Sequence, residues 1–353
     1  MRRVQVAPIR SSRPDSPAAV AAAALADECL VLQLSPDLEA ALAGLPPLAW
    51  IGSGLSRIAA ELGARSWQRV GGAGTVFTPL EYCVGGAAAY TPVLITYGGG
   101  NLDSQATARQ IAARRPPRVI LLTGFAGSPC ERLLAASGSV VDVVVLPEHP
   151  RERRFVAVLP LLAMAGLALR LALPRSGRDQ ARAALDGGAR RADSQRGPLR
   201  DRILAAPDWR DRRWIALAGG MTSVAALAWQ AVLAEAALAD VIVADLKDYS
   251  HGRYMSALQR DDMAYLVLSD ERCHNLGRTL SRRFAPFFPV AHVELGGGPL
   301  EAAWGHLVLA ASLVEDLCAA AGWDLAAPPR PEIVRSWSNW GQVQGSAPGG
   351  GRI

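Results

Sequence analysis

The chain has 353 residues, enough for two ordinary domains, and 50% of them are apolar, which excludes a wholly disordered protein. Its formal net charge is +5, and its basic residues are all arginine except Lys247. We attribute this bias to genomic composition and not to a nucleic-acid-binding surface. The five cysteines are scattered without a CxxC pair, so we expect neither a disulfide framework nor a zinc site and place the chain in a reducing cytoplasm.

Residues 1–44 are predicted to form a helical extension. The alanine run Ala18–Ala26 indicates a short helix, because Asp27 and Glu28 follow it and no leucine-rich core of a secretory signal is present. Farther along, the apolar stretch Phe155–Leu169 contains Pro160 and is shorter than the roughly 20 residues that span a bilayer. We therefore expect a buried helix there and no membrane partner.

Two segments, residues 45–174 and 210–325, repeat one order of elements: an apolar strand, a glycine turn, a helix and further β-α alternation. The predicted strands are Leu48–Ile51, Val93–Ile95, Val119–Leu122 and Val141–Leu146 in the first segment, and Trp214–Leu217, Val241–Val243, Ala264–Leu268 and Val290–Leu295 in the second. This alternation predicts two tandem α/β domains, each a parallel sheet flanked by helices.

The polar segment 175–209 predicts a linker with one amphipathic helix, whose arginines we interpret as a solvated face. A tail follows at residues 326–353. Its last residues are too poor in apolar groups to order alone, whereas Trp337 and Trp340 favour packing on the body or on a partner subunit.

Two glycine-rich loops follow strands of the first segment. Backbone amides in such loops, at the ends of strands, can bind an anion. The alternative is that the glycines serve only the conformation of the turn. Asn101 would cap the helix after the second loop. The candidate substrate-binding residues of the two loops are Gly52, Ser53, Gly54 and Ser56, and then Thr96, Tyr97, Gly98, Gly99 and Asn101.

Both loops converge on the crevice where open α/β sheets bind ligands. A nicotinamide cofactor is disfavoured because the first loop has Arg57 where GxGxxG needs its third glycine. No cofactor is predicted. His149, His274, His292 and His306 show no metal-ligand spacing and are interpreted as structural or surface residues, so no metal site is predicted either.

Glu235 and His251 are the candidate catalytic residues of the second segment. Glu235 belongs to a helix that is otherwise almost wholly apolar, and partial burial would raise its pKa toward that of a general base. His251 lies sixteen residues later in a polar cluster, and imidazole can move a proton near neutral pH. The alternative is a capping or ion-paired glutamate and an ordinary loop histidine.

From Leu48 to Arg335 these residues resemble the tandem sugar isomerase (SIS) family, and within it the isomerase half of glucosamine-6-phosphate synthase and the fructosamine-phosphate deglycases. Gly52–Ser56 resembles the family's GxGxS phosphate loop. Thr96–Asp103 resembles the second phosphate loop, S-x-S-G-x-T-x-D, but has Gly98 and Asn101 in place of two hydroxyl residues. The resemblance therefore implies an anionic sugar ligand, and the loss of two hydroxyl donors argues against an ordinary phosphosugar.

Two further stretches of the first segment share this resemblance. Gly127–Leu133 resembles the family's GS-S-L stretch, and Leu146–Glu148 resembles its G-x-E, which makes Glu148 a candidate ligand residue. The family continues there with V-A-S-T-K, whereas this chain has four charged residues at 151–154. Arg153 is the candidate anion ligand among them, the alternative being a solvated arginine.

In the second segment Glu235 falls on the family's catalytic base in A-L-K-L-K-E, and His251 falls on the histidine of E-L-K-H-G-P. The chain departs from these motifs at Val232 and Arg253. Gly322–Asp324 and Pro329–Arg330 resemble the family's G-x-D...P-R, but the lysine that the synthase places after it is missing. Val334 and Arg335 stand closest, and an arginine cannot shuttle a proton or form an imine.

The resemblance implies an enzyme that isomerises or deglycates a phosphosugar or related anionic carbohydrate, as a homodimer that presents His251 to the neighbouring site. Glu235 would be the base and His251 the ring-opening acid or base. The alternative is a non-catalytic sensor of a sugar phosphate or nucleotide sugar, which the altered second loop favours and the retained Glu235 and His251 oppose.

Overall fold

The computed structural model describes residues 2–3, 18–85, 87–149, 152, 154 and 156–327. The tail residues Trp337, Trp340, Val334 and Arg335, and the Pro329–Arg330 pair, lie outside the described residues. The predicted domain limits at residues 44, 174, 209 and 325 stay predictions.

The first half contains one parallel sheet. Buried apolar runs form its central strands, as expected for a sheet covered on both faces. The strands are β1 (Arg2–Arg3), β2 (Leu48–Ile51), β3 (Gly74–Phe77), β4 (Thr91–Thr96), β5 (Arg118–Thr123) and β6 (Val140–Val145), in the order β1-β6-β5-β4-β2-β3. The helices along this half are α1 (Ala18–Leu30), α2 (Pro36–Leu42), α3 (Leu55–Arg69), α4 (Pro79–Val84), α5 (Leu102–Arg114), α6 (Pro129–Ala135) and α7 (Val158–Ala172).

The second half contains a four-stranded parallel sheet in the order β10-β9-β7-β8. Its strands are β7 (Arg213–Ala218), β8 (Asp240–Asp245), β9 (Met263–Ser269) and β10 (Val290–Glu294). The helices from the connection onward are α8 (Arg178–Leu204), α9 (Thr222–Glu235), α10 (Tyr254–Ala257), α11 (His274–Phe284) and α12 (Pro299–Ala320). The predicted fold class, two parallel sheets flanked by helices, is confirmed.

The two sheets share a strand order. In the first sheet β2 lies between β3 and β4, and in the second sheet β7 lies in the same way between β8 and β9. The order reverses between β2 and β4, and between β7 and β9, so a crevice opens at the carboxyl ends of each pair. Each half therefore has its own switch point, the first beside β2 and β4 and the second beside β7 and β9.

Helices α3 and α9 pack together between the two sheets and run antiparallel. The Arg65 guanidinium, near the end of α3, donates a 3.1 Å hydrogen bond to the Gly220 carbonyl at the start of α9. At the other end, a Cβ built on Gly54 would lie 3.9 Å from Oε1 of Glu235, the last residue of α9. Each glycine turn therefore lies beside the end of the other half's helix.

The core extends through α1, α7, α8 and α12. Helix α7 is buried along nearly its whole length, as predicted for the stretch around Pro160. Length and composition would allow α12 to cross a membrane, but 83% of its most apolar window is buried inside the protein. We therefore interpret α12 as a core helix.

Helix α8, within the predicted linker, is more tightly attached to the body than its arginine-rich sequence indicated. Arg182 contacts Asp27, Arg191 contacts Glu301 and Arg196 contacts Asp316, with nitrogen–oxygen distances of 2.9, 2.8 and 2.7 Å. Arg182 and Arg191 are exposed, as predicted for a solvated face, but all three arginines also hold α8 on the body through ion pairs. Acidic partners from α1 and α12 were separated from them by more than a hundred residues of sequence.

Candidate active site

The first glycine loop lies at the switch point of the first sheet and leads into α3. Gly52 has a packing reason to be glycine, because a Cβ there would lie 2.5 Å from the Ser56 carbonyl oxygen. Gly54 has a conformational reason, since its φ is +53°. The fold itself therefore requires both glycines, and they do not by themselves indicate a ligand.

The two serines of this loop are different. Neither Ser53 Oγ nor Ser56 Oγ has a hydrogen-bond partner among the described residues, and no side chain caps the start of α3. Unused hydroxyls beside a helix amino terminus can bind an anion, because the first amides of a helix and its dipole attract negative charge. Ser53 and Ser56 are thus the loop residues best supported as ligand contacts.

The second loop follows β4 and leaves open space at two glycines. A Cβ on Gly98 or Gly100 would meet no atom within 4 Å, and neither glycine has a positive φ. Gly99 differs, because its φ is +63° and a Cβ there would lie 3.0 Å from that of Ser128. The backbone at Gly98 and Gly100 is bare without a packing requirement, which suits the close approach of a ligand.

The side-chain oxygens of this loop are used internally. Thr96 Oγ1 accepts a 3.1 Å hydrogen bond from the Gly99 amide, and Asn101 Oδ1 accepts one of 2.6 Å from the Ser104 amide. Asn101 is therefore the N-cap of α5, as predicted, and its oxygen is held by the helix. The second loop offers mainly backbone, in contrast to the first.

An aromatic cluster lies at the carboxyl ends of β4, β5 and β6. The Tyr97 hydroxyl is 3.0 Å from His149 Nε2, and His149 Nδ1 is 2.7 Å from the Pro147 carbonyl. Because a carbonyl can only accept, Nδ1 carries the proton and Nε2 accepts from Tyr97. Phe125 stacks on the imidazole with ring centroids 5.2 Å apart. The hydrogen bond from its hydroxyl to His149 thus fixes the position of the Tyr97 side chain.

The remaining first-half candidates have separate positions. Glu148 is exposed, immediately before His149 at the end of β6. Arg153 lies outside the described residues. Ser128, in the stretch that resembles the family's GS-S-L, caps α6 by accepting a hydrogen bond from the Glu131 amide and packs beneath Gly99. That stretch supports the second loop from below.

Glu235 reaches this crevice from the second half. Its side chain is partly buried and makes no hydrogen bond or ion pair with any described residue. Burial raises the pKa of Glu235 from 4.5 to about 7, because the charged carboxylate loses hydration and gains no compensating partner. The alternative of a capping or ion-paired glutamate is not what the structure shows. A carboxylate with this pKa, next to the glycine loop that begins α3, can accept a proton near neutral pH.

His251 does not join Glu235 within one chain. It is exposed in the loop after β8, where its amide donates a 2.9 Å hydrogen bond to the Asp248 carbonyl. The described contacts include no hydrogen bond between His251 and Glu235. An exposed loop histidine can act only on something that approaches from outside, a ligand or a second subunit.

Over the described ranges, no cluster of three or more His, Cys, Asp or Glu side chains could hold a metal ion. Glu235 therefore has no metal-ligand companions in that part of the chain.

No family model and no curated protein matches the sequence. Solved structures do match. Tagatose-6-phosphate ketose/aldose isomerase from Escherichia coli is 14% identical with a TM-score of 0.70, and the alignment covers 93% of this chain and 100% of that one. The C-terminal domain of glucosamine-fructose-6-phosphate aminotransferase from Francisella tularensis is 12% identical with a TM-score of 0.64, covering 91% and 100%.

A third structure, glucosamine-6-phosphate deaminase from Thermotoga maritima, is 14% identical with a TM-score of 0.61, covering 90% of this chain and 98% of that one. The alignments run through both halves of the chain. At such identities the likeness shows the fold, and the chain has the fold of the sugar isomerase (SIS) proteins.

Proposed function

We propose that the chain is an enzyme acting on a phosphorylated sugar or a related anionic carbohydrate, by ring opening and proton transfer next to the carbonyl. The observation that carries this proposal is the position of Glu235. Its partnerless carboxylate, with a pKa raised to about 7, lies beside the glycine loop that begins α3. A base with a pKa near 7 has a high proton affinity and is still about half unprotonated at neutral pH.

The anion would bind at the first loop. The Ser53 and Ser56 hydroxyls and the uncapped start of α3 would hold the phosphate, and the bare backbone at Gly98 and Gly100 would lie along the sugar. Glu235 would then move a proton from the carbon next to the carbonyl to the carbonyl carbon. Transfer of the proton of the adjacent hydroxyl to the carbonyl oxygen, through an enediol, would complete an isomerisation. Deglycation starts with the same proton transfer, so both reactions remain within the proposal, in the cytoplasm and without a cofactor.

His251 would act across a homodimer, as the ring-opening acid or base of the neighbouring chain's site. Its exposure in the loop after β8 supports this arrangement.

Mixing two inactive variants tests this arrangement. Co-expressed Glu235→Gln and His251→Asn chains should regain about a quarter of wild-type activity, because half of randomly paired dimers combine the two variants and each such dimer has one intact site. Each variant alone is the control. No recovery in a verified mixed dimer would contradict a shared site.

A non-catalytic sensor of a sugar phosphate or nucleotide sugar is the second candidate. The second loop favours it, because Thr96 is almost fully buried and Asn101 is an N-cap that has no hydroxyl to offer a ligand. A sensor needs binding but no base, so turnover separates the two functions.

The direct test is a thermal-shift panel of tagatose 6-phosphate, fructose 6-phosphate, glucosamine 6-phosphate and a fructosamine phosphate, followed by turnover of each compound that binds. We expect wild type and Glu235→Gln to bind alike, and the variant to lose at least about a hundredfold in kcat, as removal of a general base does. Binding without turnover in either protein would favour the sensor. A response only to unphosphorylated or nucleotide-linked sugars would contradict the phosphosugar assignment.

A further inference from the structure

A second cleft lies at the switch point of the second sheet, at the end of α9 opposite to Glu235. It has a volume of about 430 Å³, within the range of small-molecule sites. Residues that follow β7, β8 and β9 form its floor, and the end of α3 from the first half forms one wall. Neither candidate catalytic residue lines it.

The glycine turn after β7 opens one side of this cleft. Gly220 has a φ of +56° and a Cβ there would meet no atom within 4 Å, so the backbone is accessible. No side chain caps the start of α9. The turn therefore presents a helix amino terminus to the cleft, with a polarity that favours an anion.

Four cationic side chains line the same cleft: Arg65, Arg69, Lys247 and Arg272. Arg65 is fixed by its bond to the Gly220 carbonyl and its 3.4 Å contact with Glu61. The other three make no side-chain hydrogen bond or ion pair with the described residues, although arginines elsewhere on the surface commonly have acidic partners. Lys247 is also the only lysine in the chain. Unpaired cations gathered in one cleft indicate an anionic ligand.

Two carboxylates line the same cleft on either side of β7, Asp245 at the end of β8 and Asp270 just after β9. Asp245 Oδ1 accepts 2.8 Å hydrogen bonds from the amides of Lys247 and Asp248, which leaves Oδ2 without a partner among the described residues. Asp270 is only 4% exposed, and its Oδ1 accepts from the Arg272 amide at 2.9 Å. Its Oδ2 likewise makes no hydrogen bond within that part of the chain. In dinucleotide-binding α/β folds a carboxylate on the strand that follows the glycine turn, the place of Asp245, binds a ribose hydroxyl.

We propose that this cleft is a second ligand site, which binds a phosphorylated polyol of about the size of ribose 5-phosphate. The phosphate lies at the Gly219–Gly220 turn between Lys247 and Arg272, and the hydroxyl groups are held by Asp245 and Asp270. Helix α3 ends here in Arg69, whereas α9 ends at the first crevice in Glu235. Arg69 thus has the position in the second cleft that Glu235 has in the first crevice. A cation at this position suits binding of an anion and cannot remove a proton.

Because Lys247 is the only lysine, chemical labelling of its amine can report on ligand binding in this cleft. Pyridoxal 5′-phosphate carries an aldehyde and a phosphate. Its aldehyde condenses with the Lys247 amine to give an imine and water, and borohydride reduces the imine to a stable secondary amine. Peptide mass spectrometry separates this adduct from one at the chain's amino terminus. We expect labelling at Lys247, and ribose 5-phosphate at about ten times its Kd should slow the labelling about tenfold.

Variants assign the protection to the cleft. Arg272→Met should weaken protection by both ribose 5-phosphate and inorganic phosphate about tenfold, the usual loss for one charge-assisted contact. Asp245→Asn should weaken protection by ribose 5-phosphate alone. Arg190→Met is the matched control, because it removes the same charge from an exposed ion pair on α8.

The outcome is independent of the proposed function. Ser53→Ala/Ser56→Ala and Glu235→Gln alter the first crevice and should leave protection of Lys247 unchanged, while Arg272→Met should leave turnover unchanged. Labelling of Lys247 that ribose 5-phosphate does not slow would overturn the proposal. So would protection that survives Arg272→Met and Asp245→Asn but disappears with the two serine substitutions.

Discussion

Glu235 ends α9 at a position where its carboxylate loses water but gains no partner. Burial raises the pKa of this group to about 7, whereas it titrates at 4.5 when fully hydrated. Between these two values the folded protein holds a proton that the unfolded chain releases. Stability therefore falls as the pH rises from about 4.5 through about 7, which is the reverse of the usual behaviour of an ion-paired carboxylate.

Glu235→Gln should remove this cost. We expect the free energy of unfolding of the variant to be about 1–3 kcal/mol higher than that of wild type at pH 8. This range is smaller than the full pKa shift would give, because the side chain is partly exposed to solvent. At pH 5, where the native carboxyl is protonated, the difference should be small. Urea denaturation at the two pH values measures it.

Asp211→Asn is the control, since Asp211 is exposed and no described residue forms an ion pair with it. Its effect should not change between pH 5 and pH 8. An equal gain from Glu235→Gln at both pH values would show that ionisation of Glu235 is not the cause.

At the scale of elements, close helix packing holds the second half on the rest of the molecule. Helices α8 and α12 touch backbone to backbone, because a Cβ on Gly188 would lie 2.5 Å from the Glu301 carbonyl oxygen and 2.9 Å from the Gly305 amide nitrogen. Gly305 is equally close, with a Cβ position 2.8 Å from the Gly188 carbonyl oxygen. Only glycine fits at this crossing.

Gly188→Ala should therefore destabilise the protein by about 1–3 kcal/mol, because a backbone neighbour cannot rotate away from the new methyl group. Gly187→Ala is a matched control one residue earlier on α8. Its methyl group would meet only the end of the flexible Glu301 side chain, and alanine favours a helix over glycine by about 1 kcal/mol. Thermal and urea unfolding compare the two. A loss for Gly187→Ala as large as that for Gly188→Ala would contradict a backbone contact.

At the scale of the whole molecule, the sequence predicts most of the sheets. Continuous apolar runs such as Val119–Leu122 are typical of strands buried on both faces, and the structure places β5 there. Strand β3 was not predicted, because its four residues are only partly buried and begin with Gly74. The two-residue β1 is too short to give any pattern.

The candidate site is only partly readable from sequence. A lone glutamate in an apolar helix indicates Glu235, since a buried charge in such a place is unusual. Its proximity to Gly54 depends on how α3 packs against α9. These helices are far apart in the sequence, so no local sequence pattern predicts their contact. His149 was interpreted as structural or surface, and it does support Tyr97, but its place beside the crevice follows from the strand order. The second cleft gathers residues from five separate segments.

The central claim is that Glu235 moves a proton on a phosphosugar, and exchange with solvent tests it most directly. Substrate that binds in the thermal-shift panel is incubated with the protein in deuterated water, and deuterium at the carbon next to the carbonyl is measured by NMR. We expect incorporation by wild type, with a rate that rises with pH through about 7 as Glu235 ionises. Glu235→Gln should bind the sugar and incorporate none. Deuterium incorporation by Glu235→Gln at the wild-type rate would contradict the account.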